Sequence, residues 1–176
     1  MTLRIIRPGL LTTVQDRGRF GLRHLGVVPC GPMDPVALEL ANALVGNRSG
    51  EAALEFTVLG PEIEFECDAL VAVCGAQFDA TLAGRALPLN RPVFVEKNSR
   101  LKAGRALVGC RAYLAVAGGI QTPPVLGSRS TYLPAKFGGL EGRQLRAGDV
   151  LPLVPDAEGL ARKRSSNLKL TGKNPS

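Results

Sequence analysis

Glycine and proline interrupt this chain often, which implies many turns. The 176 residues include 21 glycines and 13 prolines, and turn residues at this density favour a mainly β fold over a helical bundle. Hydrophobic residues make up 45% of the chain, whereas aromatic residues reach only 5% and tryptophan is absent. Aliphatic side chains must therefore build the core. The length is typical of one domain, or of one domain and part of another.

Short strands with one clear helix are the secondary structure that the sequence predicts. The alternation of apolar and polar residues is that of β structure over residues 3–7 and again from residue 52 onward. A hairpin is predicted near residues 83–85, and a last strand within residues 145–154. The helix is predicted over residues 35–45, because Asp34 can cap it and Pro35 suits its first position. The spacing of these elements fits a closed or nearly closed all-β barrel.

Residues 8–33 form a polar, glycine-punctuated segment that we predict to be a loop carrying a site. It concentrates groups that can bind or react, namely Thr13, Gln15, Asp16, Arg19 and His24. Guanidinium groups suit a carboxylate or a phosphate. Histidine titrates near neutrality, so Asp16 and His24 are the catalytic candidates, and the other three are predicted to bind substrate or nucleotide. The alternative for His24 is a structural histidine packed against the barrel.

A second glycine-rich segment, residues 127–139, is the other candidate binding region. Ser128, Arg129, Ser130 and Lys136 could form an anion-binding concavity from backbone donors and cations. The segment lacks the order of a Walker-type phosphate loop, and a plain interface is an equal alternative. We expect the two segments to converge at the mouth of the barrel and to bind a small anion there.

Glu55 lies in a predicted strand, between Leu54 and Phe56. If it points inward, its carboxylate needs a cationic partner or a raised pKa. Arg19 or Arg129 could be that partner, and Glu55 would then belong to the binding site. The alternative is an outward glutamate on a half-exposed strand.

The net charge of +7 does not indicate nucleic-acid binding, because most of the excess is local. Residues 159–176 contain five bases and no acid, whereas the rest of the chain has 17 bases and 15 acids. A nucleic-acid-binding domain is expected to spread bases over one folded face. We therefore predict a folded domain over residues 1–155 and a basic, disordered tail over residues 156–176.

The four cysteines and the single histidine show no metal-binding pattern. No CxxC pair is present, so no metal site is predicted. No stretch approaches eighteen apolar residues, and the first residues lack the apolar core of a signal peptide. We therefore expect a protein of the reducing cytoplasm that does not bind membranes.

Several motifs in order resemble one family over about residues 3–153. They are RPGLLTTVQDRGRFGLRHLGV, GPMDPVALELANALVGN, AALEFTVLGP, YLAVAGGI and VLGSRSTYLPAKFGGLEGRQLRAGD. The chain is identified as a member of the allophanate hydrolase subunit 2 family, also described as the A and B subdomains of a biotin-dependent carboxyltransferase. The resemblance implies a cyclophilin-like β-barrel, of which this chain is the N-terminal portion. Cys30 departs from the small polar residue expected at its position.

The resemblance also implies a function. The family includes the C-type subunit of the bacterial ATP-dependent 5-oxoprolinase, which implies ATP with magnesium, an amide or lactam substrate, and partner subunits such as a kinase-inhibitor-like B-type subunit. Arg19 and Arg129 would hold carboxylate or phosphoryl oxygens. One alternative is carboxyl transfer in biotin-dependent urea metabolism, with biotin carried by another protein because no biotin-acceptor motif is present. The other is a non-catalytic module that antagonises a kinase inhibitor, in which case the chain alone is inactive.

Overall fold

Short antiparallel strands build most of the molecule. The computed structural model describes residues 1–154 and 157–171. Within them lie a 3-10 turn, Arg23–Leu25, the helices α1 (Pro35–Leu44) and α2 (Ala157–Thr171), and eleven strands. The strands are β1 (Thr2–Arg7), β2 (Leu11–Gln15), β3 (Ala53–Thr57), β4 (Glu62–Phe65), β5 (Ala69–Phe78), β6 (Thr81–Leu82), β7 (Arg85–Ala86), β8 (Val93–Val95), β9 (Arg100–Lys102), β10 (Ala106–Val116) and β11 (Val150–Pro152).

The strands form two sheets with the main core between them. One sheet has the order β11-β1-β4-β9-β6-β7 and the other has the order β2-β3-β10-β5-β8. Buried side chains from both sheets meet in one cluster, which includes Ile5, Phe56 and Leu101. The prediction of a mainly β fold is confirmed. Hydrogen bonds group the described strands into two sheets rather than one closed barrel, because the chain turns a corner at Gly9 and β2 joins the second sheet.

Helix α1 covers the outer face of the five-stranded sheet, as its sequence predicts. The carboxylate of Asp34 accepts a hydrogen bond from the backbone N–H of Ala37, which caps the helix, and Pro35 occupies the first turn. Leu38 and Ala41 bury their side chains in a second apolar cluster on that face. The helix therefore fixes the outer side of the sheet whose edge strand β2 leads into the candidate site.

Two predicted segments differ from the structure. The predicted loop over residues 8–33 contains strand β2, whose polar side chains are buried. The predicted disordered tail forms helix α2 between residues 157 and 171, while residues 155–156 and 172–176 lie outside the described residues. Helix α2 is held to the body because Ala161 is buried and Arg164 donates hydrogen bonds to the carbonyl oxygen of Val45 and to Asn47. Neither α1 nor the described part of α2 is long and apolar enough to cross a membrane.

Candidate functional site

Asp16 joins the two segments that the sequence singled out. It follows β2 directly and is buried, and its carboxylate accepts hydrogen bonds from the hydroxyls of Ser128 and Ser130. It also accepts from two backbone N–H groups, those of Gly18 at 2.8 Å and of Arg129. The segments 12–24 and 127–139 are therefore packed against each other through one side chain.

The carboxylate of Asp16 is held in its charged form. Burial alone would raise its pKa, but hydrogen bonds from two serine hydroxyls and two backbone N–H groups outweigh burial and lower the pKa below its ordinary value. A carboxylate that already accepts four hydrogen bonds is a weak base at neutral pH. The contacts therefore favour a positioning role for Asp16, which orders the Ser128–Ser130 backbone, and its predicted role as a proton carrier stays a prediction.

Arg19 is the most unusual group of the site. Its side chain is only 2% exposed, its Nη2 donates to the carbonyl oxygen of Ser130 at 2.6 Å, and its Nε donates to that of Val125 at 3.3 Å. The guanidinium lies 4.7 Å from the ring centroid of Phe137. Its Nη1 is buried and has no hydrogen-bond partner within residues 1–154 and 157–171. No carboxylate forms an ion pair with Arg19 in the part of the chain that the structure describes.

The backbone packs tightly around this guanidinium. A Cβ atom at Gly138 would lie 2.1 Å from the carbonyl oxygen of Ser130 and 2.8 Å from Nη2 of Arg19, so only glycine fits. Cys30 lies near Arg19 and has a φ of 56°. Burial raises the pKa of the Cys30 thiol above its ordinary value, although the charge of Arg19 acts in the opposite direction. We refer to Asp16, Arg19, Ser128 and Ser130 as the Asp16–Arg19 cluster.

Gln15 and Thr13 lie next to the cluster on β2. The amide nitrogen of Gln15 donates to the hydroxyl of Thr13 at 3.0 Å and to the carbonyl oxygen of Thr131 at 3.3 Å. Its Oε1 is buried and has no hydrogen-bond partner. Buried polar atoms are normally paired, whereas this oxygen and the Nη1 of Arg19 both lack a partner among the described residues.

Glu55 is buried, but on the outer face of the five-stranded sheet beside the residues that precede α1, and its partner is neither of the two arginines considered. Its carboxylate pairs with Arg111 at 2.6 Å, accepts from the hydroxyl of Tyr113 at 2.6 Å and accepts from the backbone N–H of Met33 at 2.9 Å. The expectation of Arg19 or Arg129 is wrong because β3 and β10 are neighbours, and Tyr113 lies directly opposite Glu55. Burial, together with the hydrogen bond to Glu55, raises the pKa of Tyr113.

Two predicted site residues have surroundings that the sequence did not indicate. The guanidinium of Arg129 donates to the carbonyl oxygen of Thr122 at 2.8 Å and to the side chain of Gln121 at 3.1 Å, so only its backbone reaches Asp16. His24 is exposed in the 3-10 turn. Among the described residues, no hydrogen bond or ion pair connects its imidazole with the Asp16–Arg19 cluster.

The arrangement can bind an anion. A buried guanidinium without a carboxylate carries an uncompensated desolvation penalty, and its planar donors match carboxylate and phosphoryl oxygens. A cavity of about 450 Å³ is lined by Val125, Phe137 and Gly138 among others, three residues that lie next to the Arg19 side chain. Residues 1–154 and 157–171 contain no group of three His, Cys, Asp or Glu side chains placed to hold a metal ion.

Comparisons with known proteins agree on one family. The family described as carboxyltransferase domain, subdomain A and B, matches residues 25–175. The chain is 48% identical over 151 residues to the C-type subunit of the Escherichia coli 5-oxoprolinase, covering 86% of this chain and 49% of that protein. It is 43% identical over 157 residues to the urea amidolyase of Saccharomyces cerevisiae, covering 89% of this chain and 9% of that protein.

The solved structure of the Kluyveromyces lactis urea carboxylase has the same fold over this region. It matches with a TM-score of 0.86 and 43% identity, covering 88% of this chain and 14% of that one. The chain thus spans about half the length of its bacterial relative and a small part of the fungal ones.

Proposed function

This chain belongs to the carboxyltransferase A and B subdomain family, and we propose that it works as a subunit of a bacterial ATP-dependent 5-oxoprolinase. Such an enzyme opens the lactam of 5-oxoproline to give glutamate. The proposal includes partner subunits, among them a kinase-inhibitor-like B-type subunit, and a cytoplasmic setting. It is supported by the 48% identity to the C-type subunit of the Escherichia coli 5-oxoprolinase.

Opening a lactam requires an activated carbonyl group. Transfer of the γ-phosphoryl group of ATP to the amide oxygen makes the carbonyl carbon open to attack by water. One water adds to this carbon, and the C–N bond breaks as the nitrogen takes up a proton. A second water hydrolyses the acyl phosphate that is left, which gives the glutamate carboxylate and free phosphate. Both the substrate and the phosphoryl group carry anionic oxygens, so the site needs a fixed cationic donor that is shielded from water.

The single observation that carries this proposal is the state of Arg19. Its guanidinium is buried, it lacks a carboxylate partner within the described residues, and its Nη1 has no hydrogen bond. We propose that this edge receives a carboxylate or phosphoryl oxygen. Asp16 holds the Ser128–Ser130 backbone beside it, and the free Oε1 of Gln15 can accept a hydrogen bond from a lactam N–H.

The test is ATP hydrolysis by the chain in complex with its cognate partner subunits. We expect hydrolysis that depends on 5-oxoproline, and we expect Arg19→Met to reduce it by at least about a hundredfold, because a charge-assisted contact is lost. Arg91→Met is the control, since Arg91 is exposed. A complex that hydrolyses ATP equally well with and without 5-oxoproline would remove the proposal.

The second candidate is carboxyl transfer to urea or a related amide from a biotin carried by another protein. The 43% identity to a urea amidolyase and the TM-score of 0.86 with a urea carboxylase favour it. Arg19 would then hold the carboxyl group in transit. Activity that requires a biotinylated partner, and that avidin blocks, would select this candidate over the first.

The third candidate is a binding module without chemistry of its own. It is favoured by apolar side chains around the start of α1 that stay exposed, with Phe20 at 71%, Met33 at 69% and Val36 at 76%, since exposed apolar patches often mark protein interfaces. Capture of a kinase-inhibitor-like partner that is lost with Val36→Glu but unchanged with Arg19→Met would select it.

A further inference from the structure

Two apolar side chains project from strand β10 where its pairing with β5 is irregular. The register between these strands shifts twice, once between Ala106 and Val108 and once between Val108 and Ala112. Bulges of this kind bend a strand and re-aim its side chains. Leu107 is 62% exposed and Val108 is 66% exposed. These two residues therefore form an apolar tip on the surface, which we call the 107–108 tip.

The surface beside the tip is also apolar. Val58 is bonded to the bulge, because its N–H donates to the carbonyl oxygen of Cys110 at 2.8 Å and its carbonyl oxygen accepts from the N–H of Ala106 at 2.8 Å. The N–H of Leu10 donates to the carbonyl oxygen of Leu59 at 2.9 Å. Val58, Leu59 and Leu10 are all exposed, and Val58 has a φ of 60°, a strained conformation for a β-branched residue. Exposed apolar side chains grouped in this way often mark a protein interface.

A cavity of about 350 Å³ opens next to this apolar surface. Its charged side is formed by Arg7, Glu62 and Lys102, and the rest of its lining consists of Pro8, Leu59, Gly9, Gly60 and Gly104. A Cβ atom at Gly9 would lie 2.2 Å from the carbonyl oxygen of Leu59, and one at Gly104 would lie 1.9 Å from that of Asp79. The glycines therefore let the backbone segments pack closely. The volume is large enough for an aliphatic side chain, since a cavity of about 150 Å³ already holds benzene.

Two charges of opposite sign lie between the tip and the cavity. Arg105 stands in the chain between Gly104, which lines the cavity, and the 107–108 tip. The N–H of Asp79 donates to the carbonyl oxygen of Arg105 at 2.9 Å, so the two residues are neighbours. Both are exposed, and neither forms an ion pair within the part of the chain that the structure describes. One acid and one base are therefore available to a partner.

A second copy of this chain carries the complement of each feature. The cavity and the tip lie on opposite sides of Arg105 along the chain, so a two-fold axis near Arg105 and Asp79 would place the tip of each copy against the cavity of the other. Each Asp79 would then face an Arg105 across the axis, which makes two ion pairs. A partner with charges of only one sign would leave one of these two groups unpaired.

We propose that two copies of this chain form a dimer through the 107–108 tip, the neighbouring cavity, and the charges of Asp79 and Arg105. Burial of the apolar side chains supplies most of the affinity. The ion pairs fix the orientation of the two copies, because exposed pairs contribute little free energy by themselves. None of these residues belongs to the Asp16–Arg19 cluster, so the dimer can be tested without any substrate and independently of the proposed function.

Sedimentation equilibrium of the purified chain over a range of concentrations measures the dimer. We expect a monomer–dimer equilibrium with a dissociation constant on the order of micromolar, as suits a small interface. Leu107→Ser/Val108→Ser should raise this constant by at least about tenfold, because the apolar tip is lost. Leu25→Ser/Val28→Ser is the matched control and should leave the constant unchanged, since it makes the same two changes at exposed positions outside this surface. Far-UV circular dichroism checks that each variant is folded.

Charge reversal tests the two-fold arrangement. Asp79→Arg alone and Arg105→Glu alone should each raise the dissociation constant by at least about tenfold, because like charges then meet twice across the axis. An equimolar mixture of the two variants should restore the dimer, since each contact across the axis then joins opposite charges. The proposal is overturned if the wild-type chain stays monomeric or forms larger assemblies instead of dimers, if the tip variant dimerises as tightly as its control, or if the mixture dimerises no better than either variant alone.

Discussion

Replacing Asp16 with asparagine should uncouple the two segments that its carboxylate joins. Its Oδ1 accepts three hydrogen bonds, from the N–H of Gly18 and the hydroxyls of Ser128 and Ser130. Its Oδ2 accepts one, from the N–H of Arg129. Asparagine has one carbonyl oxygen. If that oxygen takes the place of Oδ1, the side-chain amide nitrogen takes the place of Oδ2 and faces the N–H of Arg129, which is also a donor. Because one bond to a charged acceptor is lost and three become neutral, we expect the free energy of unfolding to fall by about 3–5 kcal/mol at neutral pH.

The effect should depend on pH in a defined direction. The pKa of Asp16 is lowered in the folded protein, so the stabilisation is complete above the ordinary pKa of an aspartate, about 3.9. It is lost as the pH falls through the lower, folded-state pKa. Asparagine does not titrate. The difference in stability between wild type and variant should therefore be constant near neutral pH and should shrink below about pH 4.

Urea unfolding followed by far-UV circular dichroism, at neutral pH and in acid, measures both effects. Asp79→Asn is the matched control because Asp79 is exposed, and it should change the stability by less than about 0.5 kcal/mol. The reasoning is refuted if Asp16→Asn destabilises no more than this control, or if its effect is as large in strong acid as at neutral pH.

Three further substitutions test the framework around the site. Glu55→Gln should lower the free energy of unfolding by about 2–4 kcal/mol in urea titrations, because it breaks a mostly buried pair with Arg111; an effect of the size seen at a surface pair would contradict this. Arg164→Ala should speed proteolysis of α2, because it removes the hydrogen bond from Arg164 to the end of α1. Arg162→Ala is the control and should not speed proteolysis, because the side chain of Arg162 is 71% exposed and its ion pair contributes little. Gly138→Ala should lower the melting temperature by at least about 8 °C, since its Cβ has no room; an unchanged melting temperature would show that the loop can shift.

The parts of the fold that the sequence predicts are those set by local signals. Asp34, Pro35 and the apolar stripe of α1 lie within a few residues of one another, and the helix begins where they indicate. The hairpin turn at Gly84 is equally local. Strand β2 was hidden because Thr12, Thr13 and Gln15 are polar, yet all are buried. Their polarity suggested a loop carrying a site, and only the pairing with β3 explains their burial.

Site contacts between distant segments were only partly predictable. The density of polar groups and glycines indicated that residues near Asp16 and near Ser128 would meet, and they do. The partner of Glu55 depends on the register between β3 and β10, which no local signal encodes. Phe137 had no motif of its own, and its contact with Arg19 exists only because Gly138 lets the backbone approach. The contact between Arg164 and the end of α1 also joins distant segments, so the composition of the basic tail could not predict that Arg164 would anchor a helix.

Whether a buried polar group is already hydrogen-bonded distinguishes the framework of this site from its binding surface better than the residue type does. Asp16 was predicted to be catalytic and Glu55 to belong to the binding site, but each accepts several hydrogen bonds from its own chain, so a ligand would have to break existing bonds to reach them. Arg19 and Gln15 each keep one buried atom without a partner. Leaving such atoms unpaired costs free energy that a bound ligand can recover. Under the proposed function, the unpaired donor of Arg19 and the unpaired acceptor of Gln15 are therefore the positions at which an anionic amide or lactam would gain the most.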